Sequence, residues 1–248
     1  MPDHATPPGV PWLVLPTYDE APNVEAIVRA AHEVLTRAAP EGFRILVVDD
    51  DSPDGTGAIA DRIAGELPEV VVLHRTVREG LGPAYLAGFR HALDGGAGYV
   101  LEMDADFSHD PADLARLLDA VRSGRADLAL GSRYVRGGGV EDWGLLRRFV
   151  SRGGSAYASV VLGLRVRDLT GGFKCFRREV LEAIDLPTVR SKGYAFQVEL
   201  TYRAVQEGFR VTEVPIVFRD RVHGRSKMSW RIATEAMWLV PQLRRRGS

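Results

Sequence analysis

The chain has 248 residues, 45% hydrophobic and 26% charged, a composition that builds a core and excludes wholesale disorder. It carries 32 basic and 33 acidic side chains, for a net charge of −1, which excludes a uniformly basic nucleic-acid binder. The single cysteine, Cys175, excludes an intramolecular disulfide and a cysteine-cluster metal site and fits a reducing compartment.

Met1–Pro11 is polar and proline-rich and lacks the basic-then-apolar pattern of a signal peptide. Residues 1–10 are expected to form a flexible N-terminus. Trp12–Leu15 is a short apolar run stopped by Pro16 and reads as a buried strand. Ala21–Ala39 has helical spacing at Val24, Ile27, Val28, Ala31, Val34 and Leu35, with Pro22 suited to its first turn. Arg44–Val48 reads as a second strand, followed by the acidic turn 49–56 and a helix over Gly57–Glu66. Val70–His74 is a third strand, Pro83–Leu93 a helix, and Tyr99–Met103 a fourth strand ending in Asp104-Ala105-Asp106. Pro111–Ser123 is helical and Asp127–Gly131 is another strand. Strands alternating with helices predict an α/β fold, a mostly parallel sheet with helices on both faces. Gly137–Gly139 reads as a mobile loop or a linker opening a looser second half. Ser229 is placed to cap a terminal helix running to about Val240, with Pro241 marking its end.

In such sheets function sits at the carboxyl ends of the strands. Three acidic groups fall there: Asp19-Glu20, Asp49–Asp51 and Asp104/Asp106. Asp104 and Asp106 stand one residue apart where the chain turns, so both can reach one Mg²⁺ or Mn²⁺ and leave coordination positions for phosphate oxygens. The bland reading of the same pair is a solvated turn, with Asp110-Pro111 capping the next helix. Carboxylates of the 49–56 run can accept hydrogen bonds from a nucleoside, although Ser, Pro, Asp and Gly also favour turns for their own sake. No Gly-x-Gly-x-x-Gly follows the first strand and no Walker loop occurs, which argues against a dinucleotide dehydrogenase or a P-loop ATPase. Residues 1–130 hold 10 basic and 22 acidic side chains, whereas residues 131–248 hold 22 and 11. Either the first half serves a cation and the second receives anions, or the two balance as surface charge in three dimensions. Arg133, Arg147, Arg148, Arg221 and Lys227 are the candidate phosphate ligands. His109 and His223 fall in no metal-ligand spacing and read as structural.

Taken together, Pro16-Thr17-Tyr18-Asp19-Glu20, Asp49–Thr56, Gly80-Leu81-Gly82, Asp104-Ala105-Asp106-Phe107-Ser108-His109, Gly131-Ser132-Arg133-Tyr134 and the run from Arg221 to Lys227 form a recognisable series. In order and spacing the chain resembles the polyprenyl-phosphate (dolichyl-phosphate) mannosyltransferases, inverting family 2 glycosyltransferases of the GT-A fold. Asp168-Leu169-Thr170-Gly171-Gly172-Phe173 and Gly193-Tyr194-Ala195-Phe196-Gln197 extend the likeness. The resemblance implies one GT-A domain over residues 11–228 and an amphipathic helix with a basic tail over 229–248. It implies transfer of mannose from GDP-mannose to a polyprenyl monophosphate, with UDP-glucose or another sugar nucleotide as the alternative donor. Pro16, Tyr18, Glu20, Val48 and Asp50 would hold the guanosine. Asp104, Ala105 and Asp106 would hold the diphosphate and a Mg²⁺ or Mn²⁺ ion, with Ser108 as a further metal ligand. Arg133, Arg147, Arg221 and Lys227 would gather donor and acceptor phosphates, and Asp104, Asp106 and Arg133 would carry the catalysis. Asp19 and Asp51 depart from the family pattern and are expected to add negative charge near the nucleotide.

No apolar run approaches the ~20 residues that span a bilayer. The chain is therefore expected in the cytoplasm, peripherally associated with the membrane that holds its acceptor. Trp230, Trp238 and Arg244-Arg245-Arg246 would meet the membrane surface, or the terminal helix packs on the core and a membrane-embedded partner supplies the anchor. A regulatory module that binds a nucleotide without turnover is the reading from another class; nucleic acid is not an expected partner.

Overall fold

The structure, a computed structural model, describes residues 9–189, 191, 193–220 and 240–245. Strand β1 (Pro11–Thr17) is buried along its whole length and is followed by helix α1 (Val24–Ala38). The helix starts three residues later than its apolar spacing suggests. The amides of Asn23 and Val24 both donate to the Glu20 carbonyl, so Pro22 lies in the turn before the helix. Then come β2 (Arg44–Asp49), α2 (Thr56–Glu66), β3 (Val70–His74), α3 (Leu81–Asp94) and β4 (Tyr99–Glu102). A 3-10 turn at Pro111–Asp113, capped by the Asp110 side chain, leads into α4 (Leu114–Arg122) and β5 (Leu128–Ser132).

The described part of the second half is built of regular elements, where a looser half is expected. It contains β6 (Gly139–Val140), α5 (Leu145–Leu162), β7 (Lys174–Arg177), α6 (Arg178–Ala183), α7 (Gly193–Gln206), β8 (Val211–Pro215) and β9 (Val217–Phe218). The glycine run is tied down: β6 pairs with β9, and a Cβ on Gly138 would come within 2.4 Å of the Ser132 carbonyl oxygen. Its glycines allow backbone to pass close to backbone. Gly9 and Val10 are also fixed rather than free, because the Gly98 amide donates to the Val10 carbonyl.

Among the described residues, seven strands form one sheet in the order β3-β2-β1-β4-β7-β5-β8. All neighbours are parallel except β7, which runs antiparallel to both β4 and β5. Side chains alternate between the two faces, as a strand's period of two requires. Trp12 and Val14 enter one core with Leu46, Val48 and α3; Leu13 and Leu15 enter the other with Ile45, α1 and α4. Gly88 lets α3 lie against β1, since a Cβ there would stand 2.4 Å from Val14 Cγ1.

Residues 240–245 are helical, so the chain continues as helix past Pro241. Val240 and Leu243 are buried in the α3-side core, and Arg244 donates to the Val161 carbonyl of α5 at 2.7 Å. This end of the chain packs inward. The rest of the expected terminal helix, with Ser229, Trp230 and Trp238, lies outside the described residues.

A candidate active site at the strand ends

A cleft of about 400 Å³ opens at the carboxyl ends of β1, β2, β4 and β5. Among the described residues, three of the five non-glycine residues with positive φ turn the chain here: Asp19 (56°) after β1, Asp51 (62°) after β2 and Phe107 (60°) after β4. Asp and Asn tolerate this left-handed region better than most residues. That accounts for Asp19 and Asp51 without a ligand. Both are exposed and neither lines the cleft, so the expected extra charge at the nucleotide faces solvent instead.

Pro16, Tyr18, Glu20 and Asp50 line one end of the cleft. Asp50 is buried, paired with Arg75, and accepts the Gly80 amide at 3.1 Å. The Arg78 guanidinium lies 3.6 Å from the centroid of the Tyr18 ring, within cation–π range. Other acids of the 49–56 run build the turn. Asp54 accepts the Ala21 and Thr56 amides, and Asp49 accepts the Ser52 amide. Val48 is wholly buried with its side chain toward Gly88 of α3, and it does not line the cleft.

Asp104, Ala105 and Asp106 form the middle of the cleft. The hydroxyl of fully buried Tyr85, from α3, donates to Asp104 Oδ1 at 3.1 Å. Burial, and then the Asp104 charge, push the Tyr85 phenol well above its usual range, so it stays a donor. The Ser108 amide donates to Asp106 Oδ1 at 3.0 Å. Ser108 thus orients Asp106 through its backbone; its hydroxyl is buried without a partner and does not line the cleft. Among the described residues no three His, Cys, Asp or Glu cluster as a metal site. Two carboxylates at a cleft still fit Mg²⁺ or Mn²⁺, because such ions are commonly held by one or two carboxylates plus substrate phosphates.

Arg133 and Arg147 line the far side with Trp143, His109 and Phe218. Arg133 is only 6% exposed and makes a two-pronged contact with Asp168, at 2.7 and 2.6 Å. Its Nη2 also donates to Thr170 Oγ1 at 2.9 Å. Arg147 pairs with Asp220 at 2.8 Å and covers the Trp143 ring at 4.1 Å. Burial pushes His109 down to about 4, so it is neutral between the Phe173 and Phe218 rings. Arg221 and Lys227 lie outside the described residues. The acidic and basic halves do face each other, but Arg75 and Arg78 stand on the acidic side and Asp168 and Asp220 on the basic side.

Sequence reasoning missed Tyr85, Arg78, Trp143 and Gln197, and gave Asp168 no role. Their signals were faint: Tyr85 follows Gly80-Leu81-Gly82, and Asp168 and Gln197 lie in motifs of the resemblance.

Solved structures share the fold. Glucosyl-3-phosphoglycerate synthase from Mycobacterium tuberculosis, in complex with Mn²⁺, UDP and phosphoglyceric acid, superposes with a TM-score of 0.68. The two are 18% identical, with 97% of this chain and 79% of that one covered. The mannosyltransferase PcManGT from Pyrobaculum calidifontis, in complex with GDP-Man and Mn²⁺, gives a TM-score of 0.63. It is 21% identical, with 92% and 61% covered. In sequence the chain is 51% identical over 236 residues to the polyprenol monophosphomannose synthase of Mycolicibacterium smegmatis, covering 95% of this chain and 87% of the relative. It is 48% identical over 224 residues to the undecaprenyl-phosphate mannosyltransferase of Micrococcus luteus, covering 90% and 89%. The family described as Glycosyl transferase family 2 matches residues 12–185, a span that includes the ends of β1, β2, β4 and β5 at the cleft. The chain belongs to glycosyl transferase family 2.

Proposed function

We propose that the protein transfers mannose from GDP-mannose to a polyprenyl monophosphate, with inversion at the anomeric carbon. The observation that carries this is the cleft in which strand-end carboxylates Asp104 and Asp106 face the arginines 133 and 147. It occurs in a chain about half identical, over nearly all its length, to enzymes named for mannose transfer to polyprenyl phosphates. The nucleoside lies against Pro16, Tyr18, Glu20 and Asp50. A phosphate oxygen of the lipid bonds to C1 of mannose as the bond from C1 to the diphosphate breaks, and GDP leaves. A phosphate monoester has a second pKa of about 6, so the acceptor is already an anion near neutrality and needs no strong base. Asp104 and Asp106 would hold a divalent cation, which neutralises charge gathering on the departing diphosphate. Arg133 and Arg147 draw two anions into one site and keep them in line, with Arg221 and Lys227 the further cations that the family resemblance assigns to these phosphates.

Radiolabelled GDP-mannose, Mg²⁺ and a polyprenyl phosphate in detergent are expected to give label in the organic phase, lost when the lipid phosphate is omitted. Binding of GDP-mannose without lipid product would overturn the acceptor. Absence of GDP-mannose binding would overturn the donor and make UDP-glucose the next one tried.

Among the described residues no helix is long and apolar enough to cross a membrane, yet the acceptor lies in one. Helix α5 offers the approach. Leu146 (70% exposed), Phe149 (79%) and Val160 (79%) recur with Tyr157 along one side, next to exposed Arg148 and Arg152. Apolar side chains flanked by arginine suit an anionic lipid surface. Burying a phenylalanine is worth about 1.5–3 kcal/mol. Phe149→Ser is therefore expected to lower affinity for anionic vesicles by about tenfold in flotation, with the melting temperature unchanged. Equal flotation of variant and wild type would move membrane contact to the chain's end or to a membrane-embedded partner.

A further inference from the structure

Along the rim of the cleft the strands stand in the order β2, β1, β4, β7, β5. Asp50 follows β2, Tyr18 follows β1, Asp104 follows β4 and Arg133 follows β5. Between Asp104 and Arg133 lies the start of β7, preceded by Gly171 and Gly172, which also line the cleft. With the nucleoside at β2 and β1, the diphosphate at β4 and the acceptor phosphate at Arg133, the transferred sugar lies over these two glycines. It is bonded to one phosphate and attacked by the other, so it has no other place on the rim.

One amide side chain enters there. Gln197 of α7 lines the cleft and is 3% exposed. Lys174 Nζ donates to Gln197 Oε1 and, at 3.0 Å, to Glu102 Oε1. An ammonium has donors only, so the glutamine must turn its carbonyl oxygen to Lys174. Its nitrogen is then aimed away from Lys174. A Cβ on Gly172 would stand 3.3 Å from Gln197 Nε2 and 3.8 Å from both Asp104 carboxylate oxygens. Nε2 is therefore near the carboxylate motif. A bond from the amide to Glu102 helps keep that carboxylate charged. Such a bond would use one of the two N–H groups and leave the other.

We infer that Gln197 Nε2 donates a hydrogen bond to a hydroxyl oxygen of the transferred hexose, held in register by Lys174 and Glu102 as positioning residues. The glycine at 172 leaves room for this contact. The inference rests on the sugar-transfer reading above and adds the group that reads the sugar rather than the nucleotide.

The test uses GDP-mannose and its 2-, 3-, 4- and 6-deoxy analogues as donors, with kcat/KM as the readout and GDP affinity measured alongside. The wild type is expected to lose about ten- to a hundredfold on one deoxy donor. Gln197→Leu is expected to lose a similar factor on GDP-mannose, to bind GDP within twofold of wild type, and no longer to penalise that one deoxy donor. Glu102→Gln should relax discrimination at the same hydroxyl, which a merely structural role would not do. Should Gln197→Leu fail to fold, Gly172→Ala crowds Nε2 while leaving the Lys174 contact in place, and should relax the same position. The same pattern of deoxy penalties in variants and wild type would overturn the inference. So would parallel losses of GDP binding and turnover. Failure of the wild type to use GDP-mannose at all would instead overturn the parent reading.

Discussion

Asp106→Asn should reduce mannose transfer by about a hundred- to a thousandfold and leave the melting temperature within a few degrees of wild type. The asparagine keeps an oxygen where Asp106 Oδ1 accepts the Ser108 amide at 3.0 Å, so the left-handed turn at Phe107 keeps its anchor. It removes one of two charges at the point where, in the proposed reaction, the diphosphate departs. Asp106→Ala removes the acceptor as well, and an unpaired buried amide costs about 1–3 kcal/mol. The alanine variant should thus be both inactive and less stable, and the pair of variants separates charge from packing. Metal titration of GDP affinity gives an independent check. GDP binding should tighten with Mg²⁺ or Mn²⁺ in the wild type and respond far less in Asp106→Asn. Near-normal turnover of the asparagine variant would remove Asp106 from the proposed metal site.

The second large effect is expected at Arg133 and Asp168. Both are buried, and Asp168 also takes the Arg133 backbone amide at 2.9 Å. Removing one partner of a buried pair leaves a charge without compensation, at about 3–5 kcal/mol. For a chain of this size that is on the order of 6–20 °C in melting temperature. Asp168→Ala strands the guanidinium among Tyr134, Trp143 and Phe218, whose ring centroids lie 5.2–5.6 Å away. The turn itself should keep its place, since the backbone amides of residues 167 and 168 are held by Glu213 of β8, each at 3.0 Å. Arg133→Lys keeps the charge and loses the fork. It should fold, with a raised KM for the lipid phosphate and GDP affinity close to wild type. Arg133→Ala and Asp168→Ala melting like wild type would mean that this pair does not hold the far wall of the cleft.

Much of this fold is legible in the amino-acid order because β1, β2 and β4 are apolar runs buried on both faces, with helical spacing between them. The carboxylates that follow them are legible for the same reason: a charge that ends a buried strand is placed by the strand. β7 is not legible. Its four residues begin with a buried lysine, Lys174, and a lysine reads as exposed until its partner is known. That partner, Glu102, lies 72 residues earlier on β4. Burial pushes the Glu102 carboxyl up and the Lys174 ammonium down, and each is pulled back by the other, so neither residue explains its own position. Helix α5 is obscured in a different way. Leu146, Phe149 and Val160 point outward, and Gly153-Gly154 interrupts the run, so the apolar side chains do not trace a core-facing side. Gln197 and Tyr85 become functional candidates only through neighbours distant in sequence, Lys174 and Asp104.

The reversed strand also bears on how the chain is made. β7 lies near the middle of the sheet yet is synthesised after β1 to β5. Until it leaves the ribosome, β4 has an open edge, and β5 has no neighbour on that side. An open apolar edge is a template for pairing with another chain. Nascent chains that stall between Arg122 and Lys174 therefore expose the sheet at its centre, and closure of that gap is also the event that buries Glu102 against its lysine.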